Sequence, residues 1–146
     1  MDVLNWRKIA PGLYSSGQPT PQQWQQIRQA GVRTVLNLRP DDEQPGSQEA
    51  QMVADAGLRY CQLPVASGDA IDSACIDSFS ALVDECAADG LLVHCGSGNR
   101  VGALVALRAH MHQQASDSEA LQAGRKAGLT SLEPRVIEIM SRSPQA

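Results

Sequence analysis

Apolar and polar residues fall along the chain in blocks. Residues 32–38 (VRTVLNL), 58–65 (LRYCQLPV) and 91–94 (LLVH) are short runs rich in branched apolar side chains and bounded by turn residues. Such runs read as strands, and the last, apolar up to His94, reads as the middle strand of a parallel sheet. A shorter strand and turn is expected over residues 12–17. The intervening segments have helical character. Thr20 is placed as an N-cap, with Pro21 at the first helical position and Gln23 completing a capping box, so that Trp24, Ile27 and Ala30 or Gly31 line one face. Residues 39–47 form a polar loop. A helix over 47–56 stops at Gly57, and Pro64 ends the strand at 58–65. After a loop at 66–72, Asp72 or Ser73 caps a helix running to about Ala88, closed by Asp89 and Gly90. Residues 101 to about 114 are rich in Ala and Leu and helical. A further helix runs from Asp117 or Ser118 to Lys126 and ends at Gly128. Thr130 and Glu133 offer a capping box for a last helix to about Ser141, after which the final residues are expected to fray.

Strands alternating with helices predict an α/β fold with a mainly parallel central sheet flanked by helices and right-handed crossovers. The helical C-terminal third is expected to cover one face. Neither a repeat, a linker nor a low-complexity tract interrupts residues 1–146, which are expected to form a single domain. At 146 residues with 42% apolar content the chain can bury a core. Its only aromatic residues are Trp6, Tyr14, Trp24, Tyr60 and Phe79, so that core is mostly Leu, Val, Ile and Ala.

Charge and composition narrow the partners. Sixteen acidic and 12 basic residues leave a net charge of −4 with no basic block, which argues against nucleic acid as a partner. No apolar run approaches the roughly 18 residues of a membrane span, and the first residues lack the apolar core of a signal peptide, so a membrane partner is not expected and a cytoplasmic location is the default. The four cysteines, Cys61, Cys75, Cys86 and Cys95, match no zinc or CxxC spacing. Reduced thiols are expected, with Cys61, Cys75 and Cys86 as small buried hydrophobes.

Cys95 is different. It follows the most apolar strand, at the carboxyl edge where open α/β sheets bind ligands. Gly96 and Gly98 let the backbone turn several N–H groups inward, with Ser97 and Asn99 between and beyond them, and the next helix aims its positive end at the same point. A thiol there is expected to ionise readily. Arg100 can grip two oxygens of a tetrahedral anion as a fork. Nucleophile, oxyanion donors and cation thus converge on one small volume. His94 is expected to shape this loop by hydrogen bonding rather than act as a base. Asn99 is expected to be its left-handed turn residue and a donor to the anion. Arg39 and Asp41 follow a strand; a role at the same sheet edge, shaping the site or binding substrate, stands beside a plain surface ion pair. His110 and His112 lie two apart on a helix and so point to different faces, which argues against a metal site.

The segment VHCGSGNRVG resembles the signature of cysteine-dependent protein tyrosine and dual-specificity phosphatases, His-Cys-x-x-Gly-x-x-Arg-Ser/Thr-Gly, through His94, Cys95, Gly98, Arg100 and Gly102. The earlier Ser-Gly-Gln-Pro and Asn-Leu-Arg-Pro-Asp segments resemble the bacterial phosphatase-like domain found beside β-lactamase-fold hydrolases. The resemblance implies a phosphatase fold and a metal-free, cofactor-free hydrolysis of a phosphorylated protein, of the phosphotyrosine type, or of a small phosphate. Cys95 would attack phosphorus to give a cysteinyl-phosphate, Arg100 would clamp the transition state, and an Asp would protonate the leaving oxygen. The chain departs from the pattern in three places. Four residues, one fewer than in the signature, separate Cys95 from Arg100; Val101 replaces the Ser or Thr; and Ser67 stands where the acid is expected. Asp69 is then the better acid, since Asp72 is a good N-cap.

The short loop also resembles that of rhodanese-like sulfurtransferases, which would make Cys95 a persulfide carrier. An arsenate-reducing thiol enzyme would need Cys61 as resolving cysteine from a neighbouring strand. With Val101 in place of the hydroxyl, a catalytically weak phosphate-binding module is the third reading.

Overall fold

A computed structural model describes residues 1–142; the expected fraying of the last residues falls outside this range. Strands β1 (Arg7–Ala10), β2 (Leu13–Ser16), β3 (Thr34–Asn37), β4 (Arg59–Gln62) and β5 (Leu91–His94) form one sheet in the order β1-β2-β5-β3-β4. β2, β5, β3 and β4 are parallel, and β1 alone runs antiparallel, against β2. The apolar runs predicted longer strands because their flanks keep pairing with irregular spacing: Leu38 N–H bonds the His94 carbonyl at 2.9 Å and Val65 N–H bonds that of Leu38 at 2.8 Å. β1 was not predicted. It is half-buried, carries Arg7 and Lys8, and is irregular between Lys8 and Ala10, the charged and bulged character of an edge strand.

Six helices follow the predicted alternation: α1 (Trp24–Gln29), α2 (Gly46–Asp55), α3 (Ser73–Cys86), α4 (Asn99–His112), α5 (Asp117–Ala127) and α6 (Glu133–Arg142). Gln23 Oε1 accepts the Thr20 N–H at 2.9 Å, as the capping box before α1 requires. Asp72 caps α3 by accepting the Cys75 N–H at 2.8 Å. α5 is capped one residue earlier than expected, by Ser116, whose hydroxyl accepts the Glu119 N–H while Glu119 returns to the Ser116 N–H at 2.9 Å. Before α6, the carboxylate of Glu133 goes to Arg125 at 2.7 and 3.0 Å instead of to Thr130.

Strand alternation sorts β5 between two cores. Leu92 faces α1 and α2, with Trp24, Ile27, Val35 and Val53. Leu91, Val93 and Cys95 face the other side, against Ile76, Phe79 and Val83 of α3 and the almost wholly buried α4. Helices α5 and α6 close over α4. Gly102 permits this: a Cβ there would stand 2.1 Å from the Leu129 backbone nitrogen.

Cys61, Cys75 and Cys86 are half-buried rather than buried. Burial still pushes the Cys61 and Cys75 thiols up. β3 lies between β4 and β5, so Cys61 is not on a neighbouring strand of Cys95. Two strand spacings put the backbones roughly 9–10 Å apart, beyond the reach of a disulfide without backbone movement. No helix among the described residues is long and apolar enough to cross a membrane.

Candidate active site

Four parallel strands end on the same edge, and β5 delivers Cys95 there, 1% exposed. The chain then turns through Gly96, Ser97 and Gly98 into α4. Gly98 takes the left-handed conformation, with φ +104°, so it and not Asn99 is the turn residue. That conformation directs the Gly98 N–H onto the Cys95 sulfur at 3.1 Å. The first turn of α4 adds N–H groups with no intrahelical acceptor, at the positive end of a helix dipole. Arg100 folds back over the loop: a Cβ on Gly96 would stand 3.4 Å from its Nη2. Its Nη1 also donates to the Val65 carbonyl at 2.9 Å. The Glu43 carboxylate, with the Cys95 sulfur adding to it, raises the Arg100 pKa.

The sequence did not single out Glu43, yet it fills the Arg100 fork. Its two oxygens accept from Nη1 at 2.8 Å and Nη2 at 2.9 Å. Arg39 braces it with Nε at 3.2 Å, and Arg39 Nη1 donates to Gln18 and Gln44. Arg39 therefore reaches Arg100 only through Glu43. Asp41 serves the loop instead: it accepts from Gln62 and from the Gly46 N–H, which together hold its carboxyl below the usual range.

The remaining site residues divide. Asn99 turns its side chain away from the loop, donating to Ser131 at 2.8 Å and accepting from the Thr130 and Leu132 N–H groups. Ser97 is exposed, and its carbonyl is held by Asn5 Nδ2 at 2.8 Å. Asn5 was also missed, although its own φ of +54° marks it as a position under local constraint. Asp69 sits exposed on a 3-10 turn, Gly68–Ala70, whose Gly68 carbonyl is held by Arg135 at 3.0 Å. That turn follows directly from Val65, which Arg100 touches. Asp72 is occupied as a cap. His94 bonds Glu49 at 2.7 Å with both side chains fully buried. Glu49 was legible in principle, as a charge spaced with Val53 and Ala56 along the buried stripe of α2.

His110 and His112 pair with different partners, Asp117 and Asp77. The two clefts of note lie off the loop: one of about 300 Å³ lined by Trp24, Met52 and Asp55, and one of about 200 Å³ lined by Ile71, Arg135 and Ile139.

Residues 7–137 match the family model described as a DSP-PTPase phosphatase fused to NAD+ kinase. The chain belongs to this phosphatase family. The description of the family as a phosphatase agrees with what the resemblance implied. A β-lactamase hydrolase-like protein of Xylella fastidiosa is 40% identical over 99 residues, which is 65% of this chain and 22% of that protein. The chain thus spans under a quarter of the length of that relative. A putative phosphatase from Neisseria meningitidis superposes with a TM-score of 0.78 at 26% identity, covering 97% of this chain and 98% of that one. TpbA from P. aeruginosa, solved in complex with phosphotyrosine, shares the fold with a TM-score of 0.74 at 22% identity, over 92% of this chain and 82% of its own.

Proposed function

We propose that the chain is a cysteine-dependent phosphatase that hydrolyses a phosphomonoester, a phosphorylated protein of the phosphotyrosine type or a small phosphate, through a cysteinyl-phosphate on Cys95. The observation that carries this is the convergence of the Cys95 sulfur, the Gly98 N–H at 3.1 Å and the Arg100 guanidinium at the start of α4. In the first step the sulfur's electron pair forms the S–P bond as the P–O bond to the leaving group breaks, and Asp69 gives that oxygen its proton. In the second step water attacks phosphorus, the P–S pair returns to sulfur, and Asp69 takes the water's proton. Arg100 grips two equatorial oxygens, and the N–H groups of Gly96 to Arg100 receive the remaining charge, which is greatest in the transition state. Neither step draws on a metal or cofactor. The phosphotyrosine bound to TpbA supports an aryl phosphate as the first substrate to try.

Two assays on one preparation test this, aryl phosphate hydrolysis and thiocyanate formation from thiosulfate and cyanide, each repeated with Cys95→Ser. Wild type is expected to release phosphate and Cys95→Ser to release none. Thiocyanate without phosphate release would make the protein a sulfurtransferase. Phosphate binding with neither reaction would make it a binding module.

A further inference from the structure

The buried pair behind the nucleophile has a geometry of its own. Glu49 and His94 are both 0% exposed, with Oε2 of Glu49 2.7 Å from Nε2 of His94. The other oxygen, Oε1, accepts from Gln18 Nε2 at 2.8 Å. The main-chain N–H of Gln18 in turn donates to the Gly96 carbonyl at 3.2 Å. His94 and Gly96 are the residues on either side of Cys95. We propose that Glu49 is a positioning residue for Cys95: one buried carboxylate holds the chain on both sides of the nucleophile, through His94 before it and Gln18 after it. This rests on the reading of Cys95 as the nucleophile.

The alternation of β5 gives the pair its task. His94, like Leu92, faces α1 and α2, where the Trp24 ring packs against it at 6.1 Å. Cys95 faces the opposite side, with α4. The ladder still holds the main chain here, through the Leu38 N–H on the His94 carbonyl at 2.9 Å and the Cys95 N–H on the Ser16 carbonyl at 3.4 Å, but a glycine-rich turn begins at the next residue. Pinning the imidazole to α2 turns the next side chain under Arg100 and the Gly98 N–H. Pinning Gly96 through Gln18 sets the first residue of the cradle. The same network runs on from Gln18 Oε1 to Arg39 at 3.1 Å, from Arg39 to Glu43 at 3.2 Å, and from Glu43 to Arg100. With the Arg100 fork free of phosphate, the neighbours of Cys95 and Arg100 share one set of hydrogen bonds. Burying a hydrogen-bonded polar pair is seldom the most stabilising choice for a core; a requirement for fixed geometry accounts for one here.

The test uses Glu49→Gln, which keeps the shape but leaves one acceptor oxygen for two partners, and Gln18→Leu, which cuts the arm to Gly96. Two readouts are taken: kcat and KM on an aryl phosphate, and the rate of iodoacetamide alkylation at Cys95, followed on its own peptide. Glu49→Gln is expected to lower both kcat and Cys95 alkylation by roughly 10- to 100-fold, the scale of a small misplacement of reacting atoms, with KM little changed. Alkylation of the half-buried Cys61 and Cys75 should stay at the wild-type rate, which separates positioning from general loosening. Gln18→Leu should lower the same two rates, and the double variant should fall no further than the worse single one. Should Glu49→Gln not fold, Gln18→Leu decides alone. An unchanged Cys95 alkylation rate, or losses that multiply in the double variant, overturns the proposal. Alkylation needs no turnover. A wild type that hydrolyses no phosphate ester, yet whose Cys95 is slowed by Glu49→Gln, would refute the phosphatase and leave the positioning role standing; an active wild type with unaffected variants would do the reverse.

Discussion

The Arg100 fork is occupied by a carboxylate of the chain itself, so in the proposed mechanism a phosphate must compete with Glu43 for it. Replacing Glu43 by Gln should therefore tighten phosphate binding. The pair makes two charge-assisted hydrogen bonds, at 2.8 and 2.9 Å, with side chains 16% and 30% exposed. Fully buried, each such bond contributes about 1.5–3 kcal/mol. Partial exposure and the sharing of Glu43 with Arg39 bring the pair closer to the surface value, to about 1–2 kcal/mol in all. Releasing that competition strengthens orthophosphate binding by about 5- to 30-fold, and loss of a like charge beside the dianion acts in the same direction. The assay is titration calorimetry with orthophosphate, supported by its inhibition constant against aryl phosphate hydrolysis. Arg100, ahead of Arg39, holds the Glu43 carboxyl below its ordinary value of 4.5. A group depressed in this way stabilises the fold above that ordinary value and loses the contribution as pH falls through the depressed one. Glu43 thus keeps its hold throughout the neutral range, and its protonation frees Arg100 only at more acid pH. Weaker phosphate binding in Glu43→Gln would refute the competition and show that Glu43 holds Arg100 in its working position.

Asp69→Asn should lower kcat by about 10²–10⁴-fold, more for phenyl phosphate than for a nitrophenyl ester whose leaving group needs no proton; equal losses on both would remove Asp69 as the acid. Val101 is fully buried in the same core cluster as Cys95, so Val101→Thr keeps the volume and supplies the hydroxyl; it should raise the rate of cysteinyl-phosphate breakdown in single-turnover kinetics, at a stability cost of about 1–3 kcal/mol. Ser116→Ala removes the cap of α5 and should cost about 1 kcal/mol by urea unfolding, with activity unchanged.

Apart from β1, the strands, the helices and the glycine-rich loop after β5 were legible because each has a local cause. LLVH is apolar on both faces, Gly98 permits a left-handed turn, and Asp72 and Gln23 are capping residues in capping positions. What could not be read was long-range. Glu43 reaches Arg100 across 57 residues, Asn5 reaches Ser97 across 92, and Glu49 reaches His94 across 45. No periodicity encodes such pairs; they arise from the order β2-β5-β3, which brings the ends of those strands together. Asn99 was misjudged for the converse reason. Its propensity for turns is real, but Gly98 beside it takes the left-handed position at less steric cost, which frees the Asn99 side chain to tie the loop to the α5–α6 connection.

That tie bears on the missing residue. A cradle one residue shorter has fewer N–H groups, and one of them already faces sulfur, so those that remain must be held more firmly to do equal work. The structure holds them from outside the ring. Asn5 fixes the Ser97 carbonyl, Asn99 fixes residues 130–132, and Gln18 fixes the Gly96 carbonyl. Gly102 lets the Leu129 backbone close against the first turn of α4. The far end of each tie lies outside the loop motif itself, on the N-terminal segment, the turn after β2 and the α5–α6 connection. Contacts with these neighbours thus add to the loop's own hydrogen bond from the Gly98 N–H to the Cys95 sulfur. Preorganisation of this kind lowers the cost of ordering donors around an anion. It does nothing for the departure of sulfur in the second step, where a hydroxyl at position 101 would act. In the proposed mechanism anion binding and cysteinyl-phosphate breakdown therefore rest on separate parts of the loop, and the variants at Glu43 and Val101 address them one at a time.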